Sequence, residues 1–295
     1  METFLKQGGR LLVVDGLAVA YRAFFAIRGL STRDGRPTNA LFGFVKMLRR
    51  LDEAWRPTHW GVVFDGGLPA SRLTLLPEYK AQRPPMPDAL KGQLDACRRY
   101  LRIARVSEMT LPDEEADDAI ASVARQAEKT MDETLIATGD KDMYQLVNAR
   151  TRLVPVSGNE RVAWGPDEIV AKTGVAPERI VDWLALVGDS ADNIPGVPGI
   201  GPKTAARLLN EFGSLANLLA QAESLRDPKT KASLVACRER ALRNVEMIRL
   251  RTDAAPAVVW EQWVREEPDP VALVKFFEEM EFDSLAAESR QQNLF

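Results

Sequence analysis

The chain has 295 residues, a formal net charge of -3, one histidine and two cysteines. That length allows one large domain or two modest ones with a real hydrophobic core. The charge balance excludes a bulk polycation, so any contact with nucleic acid must be concentrated on one surface.

His59 is the only histidine, which removes serine-triad hydrolases, H-E-x-x-H metalloproteases and His-based nucleases. Cys97 and Cys237 are far apart and in no C-x-x-C pattern. A disulfide framework and a zinc site are therefore not expected, and a reducing, intracellular compartment fits. The N-terminus, METFLKQGGRLLVVD, has no signal-length apolar run, and no stretch is long enough to span a membrane.

Leu11 to Val14 form an apolar run ending in Asp15-Gly16, followed by an amphipathic stretch through Ala26. The pattern predicts a buried strand, a turn and a helix. Asn39 to Leu51 has helical periodicity, with Leu41, Phe44, Val45 and Leu48 on one side. Trp60 to Phe64 repeats the opening theme and stops at Asp65-Gly66; Thr134 to Thr138 repeats it again and stops at Gly139-Asp140-Lys141-Asp142. His59 is expected at a strand edge without chemical duty. Strands alternating with helices predict a mostly parallel α/β sheet, in which ligands sit beyond the carboxyl ends of the strands. Asp15, Asp65 and Asp140 would share that edge. One such aspartate is ordinarily a helix cap or turn residue. Three together, with Asp142 two residues on, are harder to explain as independent caps.

Residues 71 to 105 carry Pro77, Pro84, Pro85 and Pro87 and eight arginines and lysines, including Arg72, Lys80 and Arg83. Either a solvated surface segment or a cationic cover that receives phosphates accounts for them. In LPDEEADDAIASVARQAEK, a helix after Pro112 begins with Asp113, Glu114, Glu115, Asp117 and Asp118. The helix dipole explains one or two acids there. Five repel one another unless cations relieve them.

Leu153 to Val156 and Glu160 to Trp164 are expected as edge strands joined by a hairpin turn at Ser157-Gly158-Asn159. From Ile180 the pattern is helical, and the domain change is placed near residue 175. Within GDSADNIPGVPGIGPKTA, Asp189 and Asp192 are three apart and would share a face of a helical turn. Gly196, Gly199 and Gly201 free the backbone beside a helix start carrying Lys203 and Thr204, a combination suited to a phosphate oxygen. Taken alone, the glycine turn is equally an ordinary connection between helices.

Oxygen ligands without His or Cys favour Mg²⁺ or Mn²⁺. Two such ions about 4 Å apart support in-line phosphodiester hydrolysis. A basic cover and a phosphate-binding turn fit a polynucleotide better than a small ester.

Together VVDG at 13 to 16, AYRAF at 20 to 24, VFD at 63 to 65, LPEYKAQR at 76 to 83, EADD at 115 to 118, TGDKD at 138 to 142 and the 188 to 205 motif resemble the bacterial and phage 5′-nuclease family. That family includes flap endonucleases and the N-terminal nuclease domain of DNA polymerase I. The resemblance covers roughly residues 10 to 285. It implies a PIN-like α/β catalytic domain over 1–175 with a helical arch at about 71–105, and a helix-three-turn-helix duplex-binding module over 176–287. Metal ligands would fall on Asp15, Asp65, Glu115, Asp117, Asp118, Asp140, Asp142, Asp189 and Asp192, holding two or more Mg²⁺ or Mn²⁺ ions.

Arg22, Lys80 and Arg83 would contact the reacting phosphates, and Tyr79 would lie near a substrate base. Gly196, Gly199, Gly201, Lys203 and Thr204 would grip the duplex backbone, with K⁺ on the loop carbonyls. The partner would be duplex DNA, branched or nicked, with a 5′ flap or end, and the protein a cytoplasmic, nucleoid-associated monomer. Gly139 and the pair Leu17-Ala18 depart from the family pattern without removing a ligand.

The tail, 288–295, ends in Gln291-Gln292-Asn293-Leu294-Phe295, similar to the Q-x-x-L-F peptide that holds the bacterial sliding clamp. Gln291, Leu294 and Phe295 would carry that contact; a disordered end is the alternative. Two other functional readings stay open: a non-catalytic scaffold for branched DNA, and a PIN-like nuclease acting on RNA alone.

Overall fold

The structure, a computed structural model, describes residues 8–156 and 161–292. Five strands form one all-parallel sheet: β1 (Arg10–Asp15), β2 (His59–Phe64), β3 (Ser107–Thr110), β4 (Glu133–Thr138) and β5 (Thr151–Pro155). Their spatial order is β3-β2-β1-β4-β5. β1 is thus flanked by β2 and β4, with Asp15 opposite Val63 and Val14 opposite Ala137.

The apolar strands alternate between two cores, as period-two side chains must. Leu12, Val14, Val62, Phe64, Leu135 and Ala137 face α1 (Gly16–Ala26), α2 (Asn39–Trp55) and, beyond α3 (Ala70–Leu75), α4 (Asp88–Ile103). Leu11, Val13, Val63 and Ile136 face α5 (Ala116–Ala127) and the helical region. Burying both faces explains why these strands are continuous apolar runs. β3, a short edge strand of sequence SEMT, carries no such run and was not legible in the sequence.

α4 lays Leu90, Cys97, Tyr100 and Leu101 into the core at helical spacing. Within the basic cover expected over residues 71 to 105, α4 thus has one face in the core, while Lys91 and Arg102 on it stay exposed. After α6 (Pro166–Thr173) and a 3-10 turn (Pro177–Arg179), α7 (Ile180–Val187) leads into a two-stranded ribbon, β6 (Gly188–Asp189) and β7 (Ile194–Pro195). Asp189 and Asp192 accordingly stand on a tight antiparallel turn, where a helical turn was expected. α8 (Pro202–Phe212), α9 (Leu215–Ala220), α10 (Pro228–Ala236) and α11 (Arg238–Ile248) complete the helical layer.

The chain then returns to the sheet through α12 (Trp260–Trp263), α13 (Pro270–Glu279) and α14 (Asp283–Gln292). Trp263 lies against Gly61 of β2, where an added Cβ would meet its ring at 2.5 Å. Phe276, Phe277, Met280 and Leu285 join the core of α2 and α4. The span expected as one helical module, 176 to 287, thus divides, with its last third in the α/β layer. Residues 288 to 292, expected in a polar tail, belong to α14, with Ser289 buried and Glu288 3.1 Å from Arg49.

His59 is buried beneath Trp260, and burial lowers its pKa. The Ser157-Gly158-Asn159 turn lies outside the described residues; on its far side, Trp164 pairs with Leu153 in one antiparallel bridge. Among the described residues no helix is long and apolar enough to cross a membrane.

Candidate active site

Because β1, β2 and β4 are parallel neighbours, their carboxyl ends emerge together, and Asp15, Asp65 and Asp140 stand at that edge. Asp15 Oδ1 accepts the Ala18 N–H at 2.9 Å and caps α1, while Oδ2 accepts from Thr138 Oγ1 at 3.0 Å. It is a helix cap and a cluster member at once. Burial, with Asp65 and Asp140 adding repulsion, pushes its pKa up to about 7 against both hydrogen bonds. Asp65 accepts the Ala116 N–H at 3.2 Å, and burial raises its pKa as well.

α5 supplies three acids with different surroundings. Asp117, in its first turn, is raised well above the ordinary carboxylate range by burial and then by Asp140 and Asp15. Glu115, the N-cap residue, is buried against Lys80, Arg72 and the Tyr79 hydroxyl, which donates at 3.1 Å. Burial alone would raise its pKa; Lys80 and Arg72 outweigh it and hold the carboxyl below its usual range. Asp118 is fully buried: Oδ1 accepts from Arg72 Nη2 at 2.9 Å and from the Arg251 N–H at 2.8 Å. Its charged neighbours are Arg72 and Glu115. Glu114 pairs with Arg251 at 2.6 Å, consistent with a helix-start acid outside the site.

The third group crosses between the two layers. Asp142, Asp189 and Asp192 are all buried, and each offers a carboxylate oxygen within 4.8 Å of the others. Asp142 donates its backbone N–H to Asp140 Oδ1 at 2.9 Å, and burial together with Asp140, Asp189 and Asp192 pushes its carboxyl pKa well up. Its Oδ1 is buried without a hydrogen-bond partner. A converging, all-oxygen, mutually repelling set with an orphaned buried oxygen fits a hard divalent cation. Such an ion would be held by Asp142, Asp189 and Asp192; Asp15, Asp65, Asp117 and Asp140 form a second carboxylate group beside them.

Four cations answer these acids. Lys141 Nζ lies 2.9 Å from Asp189 Oδ1. Arg72 is buried between Glu115 and Asp118. Lys80 and Arg83 come from the turn after α3: Lys80 Nζ contacts Glu115 and lies 3.7 Å from Asp192 Oδ2, and Arg83 Nη2 donates to Asp192 Oδ1 at 2.5 Å.

Tyr79, expected beside a substrate base, is buried, its hydroxyl also donating to Asp192 Oδ2 at 3.1 Å. That position suits it to orienting carboxylates. Arg22 is exposed on α1. Gly201, Lys203 and Gly199 are exposed at the start of α8, with Thr204 half-buried. Gln291 is exposed on α14, and Leu294 and Phe295 lie outside the described residues.

Sequence reasoning missed the pairing of Arg72 and the contribution of Lys141. A lysine between two acids in TGDKD was a signal for the latter. Arg72 had none, since only the fold brings α3 to α5.

An acidic edge beneath two cations, on a parallel sheet joined to a helical layer, is suited to binding a divalent cation beside a phosphate. A family model described as the 5′-3′ exonuclease N-terminal, resolvase-like domain matches residues 10–174, and one described as the 5′-3′ exonuclease C-terminal SAM fold matches 175–271. The chain belongs to the 5′-3′ exonuclease family. The 5′-3′ exonuclease of Aquifex aeolicus is 36% identical over 94% of both chains. The thermostable DNA polymerase I of Thermus thermophilus is 40% identical over 98% of this chain, which spans 34% of that protein. The chain thus spans about a third of its polymerase relatives. Among solved structures, the bacteriophage T5 flap endonuclease in complex with DNA and metal ions has a TM-score of 0.69 at 22% identity, covering 96% of this chain and 98% of that one. The catalytic core of Rad2 with a DNA substrate has a TM-score of 0.62 at 17% identity, covering 92% and 88%. These two share the fold.

Proposed function

We propose that this chain is a structure-selective 5′ nuclease that cuts DNA 5′ flaps and duplex 5′ ends near the single-strand junction, leaving a 5′-phosphate and a 3′-hydroxyl. Primer removal and DNA repair in the cytoplasm, at the nucleoid, would be its work. The observation that carries this reading is the acidic edge itself: carboxylates from three parallel strand ends, α5 and the β6–β7 turn meet beneath Lys80 and Arg83. Family membership and the complexes with DNA among structures of the same fold support it.

In this reading residues 1–175 are the catalytic unit, and the module that begins at 176 holds duplex through Gly196, Gly199, Gly201, Lys203 and Thr204, with K⁺ on the loop carbonyls. Mg²⁺ or Mn²⁺, as two or more ions, would activate water and stabilise the oxygens of an in-line displacement. Asp142, Asp189 and Asp192 would hold one ion, and Asp15, Asp65, Asp117 and Asp140 a second. Glu115 and Asp118 would orient the cationic side. Lys80 and Arg83 would place and neutralise the reacting phosphate, with Arg22 gripping a neighbouring one. The enzyme would act as a monomer, with Gln291, Leu294 and Phe295 as a sliding-clamp peptide.

Cleavage of an end-labelled 5′-flap DNA with Mg²⁺, with and without chelator, tests the reading. Metal-dependent product from the wild type and none from the double variant Asp15→Ala, Asp142→Ala is the expected result. Equal activity of the two would refute it, and flap binding without product would point to a scaffold.

A further inference from the structure

The turn that carries Lys80 and Arg83 is tied to the turn that carries Asp192 by two kinds of contact. One kind uses carboxylates: Arg83 to Asp192 Oδ1 at 2.5 Å, Tyr79 to Asp192 Oδ2 at 3.1 Å, and Lys80 to the same oxygen at 3.7 Å. The other kind uses main-chain carbonyls, and Arg83 shares in it through Nε, which donates to the Ala191 carbonyl at 3.1 Å. Gln82 Nε2 donates to the carbonyls of Ser190 at 2.9 Å and Ala191 at 3.2 Å. Asn193 Nδ2 donates back to the Glu78 carbonyl at 2.7 Å, and the Lys80 N–H donates to the Asp192 carbonyl at 3.1 Å. Lys80 and Asn193 both hold positive φ, 55° and 59°, so each turn is bent sharply at the point of contact.

The two kinds of contact respond differently to a cation. Asp192, if it held a divalent ion, would turn to it the oxygens that Arg83, Lys80 and Tyr79 now use. An amide bonded to a carbonyl has no carboxylate to lose. We infer that Gln82 and Asn193 are positioning residues: they hold residues 78 to 83 against the 190 to 193 turn when the carboxylates turn to metal. Lys80, still on Glu115, and Arg83, still bonded to the Ala191 carbonyl through Nε, would then stay over the acidic edge facing a phosphate. The inference rests on the nuclease reading for its catalytic consequence, though not for its structural one.

The test uses the full chain and three variants. Gln82→Met keeps length and loses the donor, Gln82→Lys restores a donor, and Asn193→Gly removes the amide while tolerating positive φ. Gln82 is exposed, so its variants should fold normally.

Hydrogen exchange of residues 78 to 83 is measured with Mg²⁺ and with chelator, and flap cleavage is measured beside duplex affinity. With Mg²⁺, Gln82→Met and Asn193→Gly should exchange these amides faster, and kcat should fall by about tenfold or more, the usual effect of losing an orienting partner. Duplex affinity should not change, and Gln82→Lys should restore both exchange and kcat. Unchanged exchange in Gln82→Met with Mg²⁺ overturns the inference, as does a loss of kcat that Gln82→Lys does not restore. A wild type without metal-dependent cleavage refutes the nuclease reading instead, and the exchange measurement still decides the positioning role.

Discussion

Arg72 and Asp118 form a buried pair: Nη2 donates to Oδ1 at 2.9 Å, and Nη1 lies 2.8 Å from Oδ2. Arg72 also engages Glu115, and its Nε donates to the Met247 carbonyl at 3.0 Å, so one guanidinium joins α3, α5 and α11. Asp118 is thereby committed to structure as well as to charge. Arg72→Ala would leave Asp118 buried without its main charged partner and Glu115 with Lys80 alone of the two, and should lower unfolding free energy by about 3–5 kcal/mol. Asp140→Asn should do the reverse in metal-free protein, because it removes one of several repelling charges. Urea denaturation of both variants, each in chelator, checks the pair. Arg72→Ala at wild-type stability would contradict this account of the site.

The acidic edge predicts an unusual pH response. Asp15 has its folded pKa raised from 3.8 to about 7, and Asp117, Asp140 and Asp142 shift the same way. An acid raised on folding gives stability that is complete below its unfolded pKa and is lost as pH rises through the folded one. Metal-free protein should therefore melt higher at about pH 5.5 than at about pH 8. Glu115, shifted downward, works against this only at more acidic pH. Mg²⁺ should raise Tm by mass action, and more at the higher pH, where it meets ionised carboxylates. Calorimetry across that window tests the claim; a Tm that climbs with pH in chelator would sink it.

Three buried strands and the aspartates at their ends were legible because a doubly covered parallel strand must be an apolar run, and a run that stops at Asp-Gly or Gly-Asp marks its own carboxyl end. Asp189 and Asp192 were legible as a pair but not in their geometry, since a two-residue ribbon has no periodicity to detect. The burial of α4 and the return of α13 and α14 were missed: both carry many charges beside their apolar stripe, and only the fold says which face is covered. The carboxylate contacts of Tyr79 were not legible either. The family resemblance implies a place near a substrate base, and the fold adds that its hydroxyl meets Glu115 and Asp192 under the turn.

Lys80 is buried at its tip between Glu115 and Asp192, while Arg83 is half exposed. A charge held in a desolvated place acts on a reacting phosphate more strongly than one screened by water. Lys80→Ala should lower kcat for flap cleavage by about 10²-fold while leaving duplex affinity nearly intact, and Arg83→Ala should cost less. Single-turnover cleavage beside equilibrium binding separates the two effects. A loss in kcat/KM that comes wholly from binding would remove Lys80 from the chemistry.

The three glycines of the 196 to 201 loop should not behave alike, because their backbones ask for different things. A Cβ on Gly196 would lie 2.2 Å from the Val187 carbonyl oxygen and 2.6 Å from that of Leu186, both backbone atoms that cannot swing aside. Asn244, fully buried on α11, donates to the Ala185 and Pro195 carbonyls at 3.1 and 2.9 Å and fixes the same turn from behind. Gly196→Ala must therefore displace the ribbon that carries Asp189 and Asp192, at a cost of about 1–3 kcal/mol. Gly199 meets nothing within 4 Å but sits at φ +79°, so Gly199→Ala should cost about 1 kcal/mol in strain alone. Gly201 has open space and an ordinary φ of -87° at the start of α8, and Gly201→Ala should stay within about 0.5 kcal/mol of wild type. Thermal melts should rank the losses Gly196, Gly199, Gly201. Only Gly196→Ala should also weaken Mg²⁺ binding, measured by calorimetric titration without DNA, since it alone shifts the carboxylates. Equal Mg²⁺ affinity in Gly196→Ala and wild type would show that the loop and the acidic turn move independently.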